Sequence, residues 1–350
     1  MSFFIKTPLV SVILTSYNHA EYVGEAVQSV LDQTFRDLEL IVIDDGSTDG
    51  TADIVASIRD SRLTLIRLSE NRAVHPRNFA LNQARGEYIA FQNSDDIWVS
   101  GKLDAQLAVI EGVGRYIAGF TAAEIIDERG LPTSGTWAES IFTTTNRTAK
   151  RWLQHFFDVG NCLPLPSAIA RRSDLLQSGG FRASLVQLGD FDLWIRLAAL
   201  GEFFVLPEQL TKIRIIEGTN LSRPSLPGQR RSQIEHATVL ERYTESPILE
   251  QVDRVFPDLS KMLTSGAKKV AIALRAWRHG GAPHALFADR TIASVMENAR
   301  DRADAVAVHG PEFIHIFLHR RCESEFIRHS DAMAPKRDSR SSPWRRIIIE

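Results

Sequence analysis

Residues 9–47, LVSVILTSYNHAEYVGEAVQSVLDQTFRDLELIVIDDGS, hold two short β-branched runs separated by one helical pattern. LVSVIL (9–14) and LELIVI (38–43) are each bounded by polar turn residues, as expected of strands buried on both faces of a parallel sheet. Between them Tyr22, Val23, Ala26, Val27, Val30 and Leu31 recur at helical spacing. A second helical pattern (Ala52, Ile54, Val55, Ile58) leads to a strand at 63–68, a helix near 76–84 and a strand at 87–92. This alternation predicts an α/β fold: a doubly wound, mainly parallel sheet with flanking helices and right-handed crossovers.

Downstream the rhythm loosens. A helix near 102–111, a strand-like stretch at 116–127 and a Gly/Thr/Ser-rich loop at 130–146 come first. Helices near 148–158 and 190–200 follow, then the short strand FFVL. Pro224, Pro227 and Gly228 break the chain, which places the end of a catalytic domain at residue 225. Residues 226–330 read as a mostly helical extension, and 331–350 as a basic tail expected to fray.

The 350 residues are 44% hydrophobic and 24% charged, close to the globular average. With 41 basic against 43 acidic side chains, wholesale coating of nucleic acid is disfavoured. Cys162 and Cys322 cannot build a disulfide framework, so a reducing, cytoplasmic setting is expected. Lys6, Pro8 and Ser11 interrupt the N-terminal apolar run, so neither a signal peptide nor a membrane span is expected. Residues 320–346 carry eight basic and four acidic side chains, a surplus suited to peripheral contact with anionic lipid on the inner membrane face.

Three polar clusters fall at strand ends: Thr15-Ser16-Tyr17-Asn18, Asp44-Asp45-Gly46-Ser47 and Asn93-Ser94-Asp95-Asp96. Each alone reads as a turn or helix cap. Together on one sheet edge they mark the place where α/β sheets bind ligands. No GxGxxG or GxxxxGK[ST] loop is present, so neither a dinucleotide nor a P-loop phosphate cradle is indicated. His75, His155, His236, His279, His284, His309, His315, His319 and His329 show no zinc-ligand spacing. Trp152, Phe156 and Phe157 read as core.

SVILTSYNHAEYVGEAVQSVLDQTF, LELIVIDDGSTDGT, ENRAVHPRNFALNQARGEYIAFQNSDD, LLQSGGF, GDFDLWIRLAALGEFFVLPEQL and IRIIEGTNLS occur in that order over about residues 8–222. The series resembles the family 2 glycosyltransferases, which have the GT-A fold. The resemblance implies an inverting enzyme that moves a sugar from a nucleotide diphosphate sugar to a hydroxyl acceptor with Mn²⁺ or Mg²⁺. The acceptor class it implies is a saccharide or glycolipid, in cell-surface polysaccharide or glycolipid assembly. Carried over, Thr15, Tyr17, Asn18, Asp44, Asp45, Arg77, Asn78, Asn93, Ser94 and Arg214 would bind the nucleotide sugar. Asp95 and Asp96 would hold metal, Asp190 would be the base, and Trp194 would lie on the acceptor side.

The chemistry suits these types. A leaving nucleoside diphosphate carries concentrated negative charge that a carboxylate-held dication offsets, and one or two acids suffice. Three positions depart from the family pattern. Asn93 stands where many relatives have an acid, Gly189 precedes the base where relatives often have Glu, and Ile216 takes a common histidine position. These departures favour the alternative reading, a non-catalytic nucleotide-sugar-binding or scaffolding protein.

Overall fold

The computed structural model describes residues 7–71, 75–142, 145–216 and 225–323. They form two compact units that divide between Lys261 and Met262.

In the first unit β1 (Val10–Ser16), α1 (Val23–Leu31), β2 (Leu38–Asp44), α2 (Thr51–Ser57), β3 (Leu63–Arg67), α3 (His75–Gln83) and β4 (Tyr88–Asn93) alternate. Then come β5 (Ile97–Trp98), α4 (Lys102–Val113), β6 (Tyr116–Ile126), α5 (Trp137–Ile141) and α6 (Ala149–Asp158). β7 (Ile169–Arg171), α7 (Arg172–Gln177), α8 (Gly189–Ala198), β8 (Glu202–Arg214), α9 (Leu226–Leu240) and α10 (Val252–Val255) follow.

The strands lie in one sheet in the order β3-β2-β1-β4-β7-β6-β8-β5. The pairs β1–β2, β2–β3, β1–β4 and β6–β8 are parallel, whereas β7 and β5 run antiparallel to their neighbours. This is the mixed, mainly parallel sheet of the GT-A fold. Every residue of β2 is buried, including Glu39, whose carboxylate accepts from Ser11 Oγ at 2.6 Å and pairs with Arg85. Val10, Val12 and Leu14 of β1 pack with Val23, Val27 and Val30 of α1 and Leu103, Leu107 and Ile110 of α4, so the period-2 and helical patterns meet in one core.

β8 is far longer than the expected FFVL. Leu206 pairs with Thr121 and Gln209 with Ala122, so Pro207 and Glu208 bulge out of the ladder. A proline within an apolar run argues against a strand, and the bulge is what accommodates it.

The boundary expected at residue 225 falls inside the first unit. Tyr243 Oη donates to the Leu153 carbonyl at 2.6 Å, and Gln154 Nε2 donates to that of Val255 at 2.5 Å. The second unit holds α11 (Ser265–His279), α12 (Ala282–Glu297), α13 (Ala299–His309) and α14 (Glu312–Glu323). Val270, Ala273, Phe287 and Ile292 are buried there, and Lys269 pairs with Asp301 at 2.6 Å. The helical region expected over 226–330 is thus shared between the two units, and the basic tail at 331–350 lies outside the described residues. No helix among the described residues is long and apolar enough to cross a membrane.

Candidate active site

From β1 the chain passes to β2 and β3 on one side and returns to β4 on the other. Strand order reverses there, and the carboxyl ends of β1 and β4 flank the crevice where such sheets bind ligands. Thr15 is in register with Ile43 of β2 and Asn93 of β4, so the three polar clusters meet at one edge.

Two loops at this edge are tied together. Asn18 adopts φ 51°, and its N–H donates to Ser47 Oγ at 2.9 Å while its Oδ1 accepts from the Thr48 N–H at 2.8 Å. The His19 N–H donates to Thr51 Oγ1 at 2.9 Å, and the Ala20 N–H to Asp49 Oδ2 at 3.0 Å. Gly46 has φ 78°, and a Cβ there would come within 2.8 Å of the Glu70 carbonyl carbon, so only glycine fits the turn. Asp44 is buried and accepts from Ser47 N–H (3.0 Å) and Ser16 Oγ (3.4 Å). Its carboxylate therefore shapes the turn. Asp45 is 4% exposed, and Tyr17 projects with 45% exposure.

At the end of β4 the two acids differ. Asp96 is buried, with Oδ1 accepting from the Arg214 N–H (2.9 Å) and Oδ2 from Asn93 Nδ2 (2.8 Å). Burial, and then the neighbouring Asp95 charge, push its carboxyl well above the usual range. Asp96 and Asn93 therefore brace each other rather than reach outward. Asp95 is partly buried, and among the described residues its carboxylate accepts only from its own N–H. Burial raises its pKa, and the nearby His19 and Arg214 pull it back. Ser94 Oγ lies 2.8 Å from His19 Nδ1, which brings a histidine beside Asp95 that the sequence reading passed over.

Arg77 on α3 lies across the crevice. Burial lowers its pKa, while the charges of Asp190 and Asp45 act to raise it. Its guanidinium sits 5.7 Å from the Phe181 ring centre. Asn78, expected to touch nucleotide, is otherwise engaged. Its Nδ2 donates to the Phe181 carbonyl (2.7 Å) and its Oδ1 accepts from the Phe181 N–H (2.8 Å), so it clamps the GGF loop. A Cβ on Gly180 would come within 2.6 Å of Asn78 Oδ1, which explains that loop's second glycine.

Asp190 lies in the first turn of α8, whose N-cap position is Leu188. Its Oδ1 accepts from the Phe191 N–H (2.7 Å) and its Oδ2 from Asn161 Nδ2 (3.2 Å). Burial raises its pKa to about 6 against the pull of these donors and of Arg77. Glu235 of α9 accepts from the N–H groups of Val186 (3.0 Å), Gln187 (2.8 Å) and Leu188 (2.9 Å), fixing the chain that enters α8. Neither Asn161 nor Glu235 carried a local sequence signal.

Trp194 and Arg214 are both engaged within the fold. Trp194 is fully buried, donates from Nε1 to the Leu163 carbonyl (3.0 Å) and meets the Phe120 ring edge-on. It is core rather than acceptor surface. Arg214 is 2% exposed and spends its guanidinium on the carbonyls of Asp95, Asp127 and Glu128 and on the Glu25 carboxylate. That hub ties β8 to α1.

Among the described residues, no group of three or more His, Cys, Asp or Glu is arranged to hold a metal. The donor set nonetheless fits Mg²⁺ or Mn²⁺, which take few protein oxygens when substrate phosphate supplies others. Asp95, desolvated with no side-chain donor, has the carboxylate such an ion offsets.

Residues 11–171 match the family described as Glycosyl transferase family 2. A putative teichuronic acid biosynthesis glycosyltransferase, TuaG, of Bacillus subtilis is 43% identical over 129 residues, covering 36% of this chain and 50% of the relative. A UDP-Glc:alpha-D-GlcNAc-diphosphoundecaprenol beta-1,3-glucosyltransferase, WfaP, of Escherichia coli is 43% identical over 104 residues, 29% of this chain and 41% of the relative. The matched part spans about a third to a half of such curated relatives. In fold, the chain is similar to the mannosyltransferase PcManGT of Pyrobaculum calidifontis, solved with GDP-Man and Mn²⁺. The TM-score is 0.51 at 18% identity, covering 90% of this chain and 87% of that one.

Proposed function

We propose, from the match of residues 11–171 to the family described as Glycosyl transferase family 2, that this chain is an inverting, nucleotide-sugar-dependent glycosyltransferase. One arrangement carries the reading most directly: the partly buried Asp190 carboxylate is held by the Phe191 N–H and Asn161, burial pushes it up to about 6, and the Arg77 charge pulls it back. The donor is a nucleoside diphosphate sugar at the β1–β4 crevice, with Asp45, Tyr17 and Thr15 on the nucleoside side and Arg77 near the diphosphate. The acceptor is a hydroxyl of a saccharide or lipid-linked saccharide, in surface-glycan assembly at the cytoplasmic face of a membrane. WfaP, which its name describes as acting on a diphosphoundecaprenol-linked sugar, supports that acceptor class.

In this reaction the acceptor oxygen attacks the anomeric carbon in line with the departing diphosphate. Asp190 takes the hydroxyl proton, Arg77 balances charge on the diphosphate, and Glu235 and Asn161 hold the base in place. Asp95 would hold a divalent cation, which supplies charge neutralisation to the leaving group when bound. A base must be deprotonated to act, so kcat/KM should climb as pH rises through about 6 and then level off.

Two results test the binding half. Asp45→Ala should weaken nucleoside diphosphate binding by about 1.5–3 kcal/mol, the range for a charged hydrogen bond. Unchanged calorimetric affinity in a folded variant would remove Asp45 from the pocket. Mn²⁺ should bind weakly to the protein alone and clearly with nucleoside diphosphate present, and Asp95→Asn should abolish that difference. Equal metal affinity in variant and parent would assign the ion elsewhere. A panel of nucleotide sugars screened with Mn²⁺ for a raised Tm identifies the donor, because a ligand of the native state stabilises it. Release of nucleoside diphosphate with product then tests transfer. Binding without transfer for every donor and acceptor would leave a nucleotide-sugar-binding protein.

A further inference from the structure

We propose that His19 is a metal ligand of this site, presenting Nε2 to the divalent cation that Asp95 and the donor diphosphate share. The inference rests on the reading above and adds a nitrogen donor to a site otherwise served by one outward carboxylate.

The backbone fixes where His19 can be. It follows the left-handed Asn18, its N–H is held by Thr51 Oγ1 at 2.9 Å, and its carbonyl accepts from the N–H groups of Tyr22 (3.1 Å) and Val23 (2.9 Å) at the start of α1. The ring therefore leaves a rigid corner. It is directed to β4, where Nδ1 lies 2.8 Å from the oxygen of buried Ser94, the residue next to Asp95. Among the described residues no hydrogen bond engages Nε2, and the ring is partly exposed. A metal-binding imidazole usually has its second nitrogen held by a neighbouring oxygen, which selects the tautomer and orients the ring. Ser94 supplies that oxygen, and in the tautomer whose Nδ1–H donates to it the Nε2 lone pair is left for a cation.

The placement also bears on a departure in the sequence. Ile216, at the position where relatives commonly have histidine, is 8% exposed and offers no donor. His19 stands on the β1 side of the crevice, against Ser94, the residue before Asp95. An imidazole suits Mn²⁺ less than oxygen does, so His19 contributes one bond among several and tunes affinity rather than creating the site.

The test reads the metal directly. Mn²⁺ is added to the full chain with UDP, and in parallel with GDP, and electron spin-echo spectra are examined for coupling to an imidazole nitrogen. The parent should show that coupling. His19→Asn, whose amide nitrogen can still donate to Ser94 from the Nδ1 position, should lose it and bind Mn²⁺ at least about tenfold more weakly in the presence of nucleotide. Ser94→Ala should keep the coupling and weaken the metal by roughly 10–100-fold, the usual effect of losing a ligand's orienting partner. Mn²⁺ bound with nucleotide but without nitrogen coupling in the parent would overturn the role of His19 while leaving the metal site standing. Absence of nucleotide-dependent Mn²⁺ binding in the parent would overturn both. Coupling that persists in His19→Asn would assign the nitrogen to another residue and reject the proposal.

Discussion

Asp190→Asn should lower sugar transfer by at least about a hundredfold, within the 10²–10⁴ range for a lost general base, while donor affinity stays within about a factor of two. The amide keeps the size of the side chain, and its oxygen still accepts from the Phe191 N–H. What it loses is the capacity to take the acceptor proton. The same substitution should raise stability above pH 6. The folded carboxyl has a pKa of about 6, above the usual value of about 3.9, so the native state holds the proton more tightly than the unfolded chain. Stability from this group is therefore complete below about pH 4 and is lost as pH rises through about 6. Removing the ionisation recovers on the order of 1–2 kcal/mol at neutral pH, once solvent at the exposed edge is allowed for. A higher Tm with almost no transfer is the signature expected. Full activity in Asp190→Asn would place the base elsewhere.

Much of this site was legible from strand ends. β1, β2 and β4 are mainly apolar runs that stop at polar clusters, so period and punctuation together pointed to the crevice. Asp45, Asp95, Arg77 and Asp190 sit where those ends and α8 bring them. Individual roles were harder to read, because residue type does not reveal which way a side chain is spent. Asp95 and Asp96 are adjacent, yet one is consumed by Arg214 and Asn93 while the other is left outward. Arg214 had the charge of a phosphate ligand but lies where three carbonyls and Glu25 need a donor. Asn161 reaches Asp190 across 29 positions, and Glu235 reaches residues 186–188 across 47 to 49. No local pattern encodes such contacts. His19 escaped notice because a lone histidine carries no ligand spacing, and only the pairing of β1 with β4 sets it beside Ser94.

Asp192, two positions beyond the base on α8, should be the costliest single charge to remove from the first unit. It is fully buried, and its carboxylate meets Arg196 at 2.6 Å, Arg242 at 2.9 Å and Arg182 at 3.6 Å. Arg196 and Arg242 are themselves nearly buried; the acid is the carboxylate partner of Arg196, and Arg242 shares its charge between Asp192 and Glu245. Arg196 also donates to the carbonyls of Ser178 (2.5 Å) and Gly180 (2.7 Å), carrying the network to the GGF loop that Asn78 grips from the other side. Asp192→Asn keeps the shape but strands these guanidinium groups, and breaking one partner of a buried ion cluster costs about 3–5 kcal/mol. For a unit of this size that is a fall in Tm of roughly 6–20 °C. Residual folded enzyme should bind donor more weakly, because Arg77 packs against Phe181 of the loosened loop. High salt should not reproduce the loss in the parent, since buried pairs are poorly screened. A Tm within about a degree of the parent would show that the arginines find other acceptors, and that the cluster does not hold the loop preceding the base.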